Sequence, residues 1–307
     1  MTYLNTILGS KRDKKSEEIL LKSILKEYEK IDKDTIDYLT MIQTRGSYAI
    51  PCRIENTIYK LIAGKRYTDS FYSYSQKETS KYIDNYHIYK NILDKAKIIT
   101  PTDKTIRKIH VSNNRYLLLE KQSFQEGDST ETELKMATTK DKAIKSFMIL
   151  LESYFKIDNY NKKLQNEKIV ALDLKPSNFM HNGTYIDFTP PKLQDIDLPK
   201  NYKPTEYEAM KRIWHYTNEG NLLYLLINAT LANPAYFEEY INVLLIPQHN
   251  KYHNKFLQFL KSQDLPNHVI HITNIYHRKL PGIDHNNNTA NDINMNIIRL
   301  LKWKLSL

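Results

Sequence analysis

Residues 169–188 read IVALDLKPSNFMHNGTYIDF, and the rest of the chain is organised around this stretch. An apolar lead-in, Ile169-Val170-Ala171-Leu172, runs into Asp173-Leu174-Lys175-Pro176-Ser177-Asn178. Proline, serine and asparagine in succession break both helical and strand periodicity, so 173–178 is predicted to be a loop. Asn182-Gly183 lies between Phe179-Met180-His181 and Thr184-Tyr185-Ile186, which predicts a type I′ hairpin. The returning strand would then deliver Asp187, nine residues after Asn178.

Working outward, the chain changes character on either side of this segment. Upstream, 14–31 has Ile19, Leu20, Ile24, Leu25 and Tyr28 at helical spacing, whereas 35–44 is ambiguous. Short extended runs at 47–54 and 57–62 are joined by Glu55-Asn56. A helix is predicted over 76–96, stopped by Pro101, and two further strands over 105–111 and 115–120. Residues 121–133 are polar and read as a connector. Helices are predicted over 142–157, 204–231, 234–262 and 293–305. The expected class is α+β, with an antiparallel sheet and one helix early and a larger helical part late. The expected division is 1–120 and 121–307.

The residue types in the loop suit one kind of chemistry. A magnesium ion that holds phosphates prefers hard oxygen ligands and keeps few protein side chains, often a carboxylate with an amide oxygen. Asn178 and Asp187 supply such a pair. A second carboxylate can take the proton of an attacking hydroxyl, a role open to Asp173. Lys175 can offset charge on a moving phosphoryl group.

The segment resembles the catalytic loop and metal motif of the protein-kinase-like superfamily, His-Arg-Asp-Leu-Lys-Pro-x-Asn followed by Asp-Phe-Gly. The aminoglycoside and choline kinases share a looser version. The match here is Asp173 to Asn178 with Asp187-Phe188. The resemblance implies a bilobal protein-kinase-like fold with ATP and Mg²⁺ as cofactors. It implies a catalytic loop at 171–178 and a metal motif at 187–189, with Asp173 as base and Asn178 and Asp187 as magnesium ligands. Ala171-Leu172 replace the His-Arg, and Thr189-Pro190-Pro191 replace the glycine and its neighbours. These departures favour a small-molecule kinase over a regulated protein kinase. A minimal unregulated protein kinase and an inactive nucleotide- or partner-binding relative remain the alternatives.

In the early half, order alone assigns the remaining parts. Lys60, in Thr57-Ile58-Tyr59-Lys60-Leu61-Ile62, is assigned to the α/β-phosphates, although strand alternation leaves it facing inward or to solvent. Gly46 and Ser47, within Arg45-Gly46-Ser47-Tyr48-Ala49, are assigned to the phosphate loop on a single glycine. Asp84 and Glu78 are the candidates on the 76–96 helix for the acid partner of Lys60; otherwise an acid from another turn serves or the pair is missing. Glu120, with Lys121-Gln122, would open a hinge whose backbone meets the adenine.

Composition limits the partners. Among 307 residues, 41% are hydrophobic and 26% charged, ordinary for a globular protein. The one cysteine, Cys52, excludes an intrachain disulfide, favours a reducing, cytoplasmic setting and reads as a small buried hydrophobe. Net charge is +10, but the lysines are scattered, so nucleic acid and membrane partners are disfavoured. His249, His253, His268, His271 and His277 form no metal-ligand spacing. The expected partner is a small hydroxyl-bearing substrate whose identity is not legible, and no oligomeric state is implied.

Overall fold

A computed structural model describes residues 13–42, 49–63, 70–163, 170, 172–187 and 218–244. The protein is α+β with an antiparallel sheet. It divides into two compact units, one of Met1–Gly127 with Thr184–Pro190, the other of Asp128–Gly183 with Pro191–Leu307. The chain therefore leaves the second unit and re-enters the first between Gly183 and Thr184.

The first unit begins with α1 (Lys14–Ile24), where Asp13 and Ser16 form a capping box. It runs into a π-helical turn, Leu25–Glu29, and ends at Lys30, whose φ of 58° reverses the chain. A five-residue helix, α2 (Lys33–Asp37), and the two-residue strand β1 (Thr40–Met41) occupy the ambiguous stretch. The hairpin of β2 (Ala49–Ile54) and β3 (Thr57–Ile62) turns at Glu55-Asn56, with Ile54 opposite Thr57. The hairpin of β5 (Thr105–Ser112) and β6 (Arg115–Ser123) turns at Asn113-Asn114, with Ser112 opposite Arg115. β6 pairs with β5 along one edge, and with β3 and the short β4 (Tyr74–Ser75) along the other.

The period-two alternation of the strands sorts this sheet into two faces. Tyr59 and Leu61 of β3, Leu117 and Leu119 of β6, and Ile50 and Cys52 of β2 share a core with Leu20, Leu21, Ile24 and Leu25 from the N-terminal helical segment. Full burial of such side chains contributes about 1.5–3 kcal/mol each. Cys52 is enclosed here, and burial pushes its thiol up to about 12, which leaves it inert as a nucleophile. The opposite face carries Ile58, Lys60 and Ile62 of β3 across from Gln122, Glu120 and Leu118 of β6. Against β6 on this face packs α3 (Gln76–Lys95), started by a capping box between Ser75 and Glu78.

In the second unit, α4 (Thr130–Met136) occupies residues expected to be connector, because Ser129 caps it by accepting from the Thr132 amide. α5 (Lys140–Lys163) is longer than its apolar stretch suggested. A 3₁₀ turn spans Pro176–Asn178. α6 (Asn218–Ala232) and α7 (Phe237–Leu244) follow, separated by a 3₁₀ turn at Pro234–Tyr236. The helix expected over 293–305 lies outside the described residues, as do the late histidines and the parts of the 204–231 and 234–262 predictions before 218 and after 244. Among the described residues, no helix is long and apolar enough to cross a membrane.

The predicted type I′ hairpin at Asn182-Gly183 does not form. The turn closes one residue earlier, with the Gly183 amide donating to the Met180 carbonyl at 2.8 Å. Gly183 has φ +83°, whereas Asn182 stays outside the left-handed region that type I′ requires at both central residues. The two flanks also take separate partners. Met180 bridges Ser129, whereas the Tyr185 amide donates to the Ile99 carbonyl at 2.8 Å. A strong local turn signal was outweighed by pairing within two different units.

Candidate active site

In the first unit, backbone register positions the polar side chains. Lys60 stands directly across from Glu120, so both project to the face that α3 covers. Lys60 is half-buried, and its Nζ donates to the Ile186 carbonyl at 2.9 Å. The ambiguity in its direction resolves toward the interior, next to the residue that precedes Asp187. Glu120 is buried at 3% exposure, and the Tyr82 hydroxyl of α3 donates to its Oε1 at 3.4 Å.

Lys104, just before β5, joins the same cluster. It is 5% exposed, and its Nζ lies 5.9 Å from the centre of the Tyr86 ring. Burial holds its pKa well below the usual lysine value. The nearby carboxylates of Glu120 and Asp187 oppose that shift, and the Lys60 charge adds to it. Burial likewise raises the Tyr82 hydroxyl well above its ordinary value, reinforced by the negative charges of Glu120 and Asp187. Lys60, Lys104, Glu120 and Asp187 thus influence one another electrostatically within the first unit, with Tyr82 of α3 against Glu120.

Neither helix acid expected beside Lys60 takes that position. Asp84 is exposed. Glu78 is committed to the start of α3, accepting from the Ser75 amide at 2.7 Å and from the Tyr72 hydroxyl at 3.2 Å. Glu120 differs from its expected hinge position. β6 continues to Ser123, and Glu120 is flanked in register by Lys60 on one side and Ile106 on the other. Its backbone belongs to the sheet interior, and its side chain supplies the carboxylate on the Lys60 face. Gly46 and Ser47 lie outside the described residues.

In the second unit, side chains from three separate elements hold the Asp173 loop. Asn161 of α5 brackets Val170, donating to its carbonyl at 2.8 Å and accepting from its amide at 3.0 Å. Asn221 of α6 donates to the Leu172 carbonyl at 2.9 Å. Asn178, 6% exposed, donates from Nδ2 to the Asp173 carbonyl at 3.1 Å. Thr130 of α4 fixes the exit, its amide donating to the Phe179 carbonyl at 2.8 Å and its hydroxyl to the Met180 carbonyl at 3.1 Å. Pro176 suits the first position of the 3₁₀ turn, since an amide there has no helical acceptor.

Each oxygen of the Asp173 carboxylate meets a side chain. The Tyr224 hydroxyl donates to Oδ1 at 3.0 Å, and the Lys175 ammonium reaches Oδ2 at 3.3 Å. The geometry thus brings Asp173, Lys175 and Asn178 together within one loop. With Nδ2 of Asn178 committed to the backbone, its Oδ1 is the atom suited to a hard cation. An amide oxygen, as in Asn178 of the second unit, and a carboxylate, as in Asp187 of the first, are each donor types that suit magnesium. Among the described residues, no group of three or more His, Cys, Asp or Glu side chains is placed to hold a metal.

Sequence reasoning did not single out Tyr224, Asn221, Asn161, Tyr82 or Lys104. The only available signal was polar Asn221 and Asn228 flanking Tyr224 in an otherwise apolar helix. No protein-family model matches the chain, and no curated protein matches it.

Proposed function

We propose that this protein is an ATP- and Mg²⁺-dependent phosphotransferase of the protein-kinase-like kind, moving the γ-phosphoryl group of ATP to a hydroxyl on a small molecule. The reading extends to a bilobal kinase-like fold in a cytoplasmic protein. The observation that carries it is the Asp173 loop. The Asp173 carboxylate is held on both oxygens, by Tyr224 and Lys175, while Asn178 donates to the Asp173 backbone carbonyl. A loop serving only as a connector has no need of such an arrangement.

In this role Asp173 accepts the proton of the acceptor hydroxyl as its oxygen bonds to the γ-phosphorus. The bond from that phosphorus to the bridging oxygen breaks, and ADP leaves with the electron pair. Lys175 offsets charge on the group in transit. Lys60 is the proposed contact for the α/β-phosphates, with Glu120 as its counter-charge. Asn178 and Asp187 would hold Mg²⁺, which when bound neutralises phosphate charge.

The test is incubation with γ-labelled ATP and Mg²⁺ against panels of metabolites and peptides, with Asp173→Asn as control. Label in a small molecule with wild type, and none with the variant, supports the proposal. Label confined to peptides points instead to a minimal protein kinase. Absence of label from wild type, alongside nucleotide-dependent thermal stabilisation, points to a binding protein without turnover.

A further inference from the structure

Gln122 of β6 is 4% exposed, and among the described residues no hydrogen bond reaches its side-chain Oε1. Leaving a buried acceptor unpaired costs free energy, whereas leucine or methionine would fill the same space without that cost. Packing therefore does not account for an amide here. Its position narrows what can pair with it. Gln122 stands opposite Ile58, and Glu120 stands opposite Lys60, so the amide lies on the sheet face that carries Lys60. One same-face step along β6, about 6.8 Å, separates it from Glu120. Ile58, 6% exposed, gives it an apolar flank. The β6 backbone runs in the plane of the sheet, paired with Thr57–Tyr59 at this point, so what the strand presents on that face is its side chains.

We propose that Gln122 reads the base of the bound nucleotide and selects adenine over guanine. The inference rests on the phosphotransferase reading, with Lys60 at the α/β-phosphates, and names the nucleotide for that same site. A carboxamide carries an acceptor and a donor side by side. Adenine offers the complementary pair, its 6-amino group donating to Oε1 and its ring N7 accepting from Nε2. Guanine carries an oxygen at position 6, which sets acceptor against acceptor at Oε1. In a nucleotide the ribose separates base from phosphates, in keeping with the step between Gln122 and the Lys60 position. Because Oε1 is shut off from water, a base without the donor leaves it unpaired. Discrimination on that ground exceeds what an apolar pocket achieves. Adenine supplies the hydrogen bond that the described residues do not.

The test is equilibrium binding of three nucleotides to the full chain in the presence of Mg²⁺. They are ATP, GTP and purine-riboside triphosphate, which is ATP without its 6-amino group. Wild type is expected to favour ATP over each of the others by about ten- to a hundredfold, the range for a bidentate pair between an amide and adenine. Gln122→Leu should bring the three affinities close together, chiefly by weakening ATP. The ligand-free variant should melt at or above the wild-type midpoint, since an unpaired acceptor has been removed. Gln122→Met, which keeps the side-chain length and loses the amide, repeats the comparison if the leucine variant folds poorly. A lower ligand-free midpoint with the ATP preference intact marks an amide that serves the fold through bound water, and overturns the proposal. A preference for GTP overturns it as well. If wild type binds all three equally, base reading fails while the nucleotide site stands; if it binds none, the phosphotransferase reading fails with it.

Discussion

The two units position their polar groups by different means. In the sheet-bearing unit, strand register does the work. Lys60 faces Glu120 because β3 and β6 pair residue for residue, and α3 lays Tyr82 over them. In the helical unit, 172–175 has no regular structure, and individual side chains hold its backbone, Asn221 at Leu172 and Asn178 at Asp173. Register shares its load over many ladder bonds, so a single change costs electrostatics rather than position. Clamps act one at a time, so a single change costs position.

The largest expected effect is on chemistry. Asp173→Asn should lower kcat by about 10²–10⁴-fold, the range for removing a general base, with far-UV circular dichroism unchanged. Turnover at the wild-type rate would remove Asp173 from that role. Next in size is Glu120→Ala, which removes the acceptor of the Tyr82 hydroxyl and the buried carboxylate that most opposes the burial shift on Lys104. Leaving a buried donor without its acceptor costs about 1–3 kcal/mol, to be read as a lower denaturation midpoint. Hydrogen exchange in the 172–178 loop should stay at the wild-type rate, because the damage belongs to the sheet.

Asn221→Ala should do the reverse. Leaving the buried Leu172 carbonyl without its amide donor costs about 1–3 kcal/mol. Exchange should rise across the 172–178 loop while β3 and β6 stay protected. If both substitutions loosen both regions equally, the contrast between register and clamp is wrong. Smallest is the start of α3, where Ser75→Ala should cost about 1 kcal/mol. The Glu78 carboxyl there is held below its ordinary 4.5, first by the Ser75 backbone amide. A depressed carboxylate stabilises above its unfolded value, and the contribution disappears as pH falls through the folded one. In wild type this part of the stability is therefore lost on acidification below about 4.5, and Glu78→Gln should flatten that portion of the pH profile.

Local patterns carried far in the strand-rich part. The pairs at 49–62 and 105–120, and the helix at 76–95, lie where alternation and turn residues placed them. They failed where a local signal met a distant partner. Asn182-Gly183 is a strong hairpin dipeptide, yet its flanks are drawn to Ser129 and to Ile99. Glu120 looked like a strand end, but β6 gained three more residues by pairing with Thr57–Tyr59 of β3.

By itself, the sequence determined which residues sit on one loop, Asp173, Lys175 and Asn178, and where the strand pairs and the helix between 49 and 120 run, because periodicity, proline and asparagine act within a few residues of themselves. Tertiary structure alone decided that Glu120 rather than a helix acid shares a face with Lys60, and that Tyr224, fifty-one residues along the chain, grips the Asp173 carboxylate. Such contacts arise when whole elements pack. A hydrogen bond across that span leaves no periodic trace in either segment, only a polar side chain in an apolar helix whose need for a partner can be read but whose partner cannot.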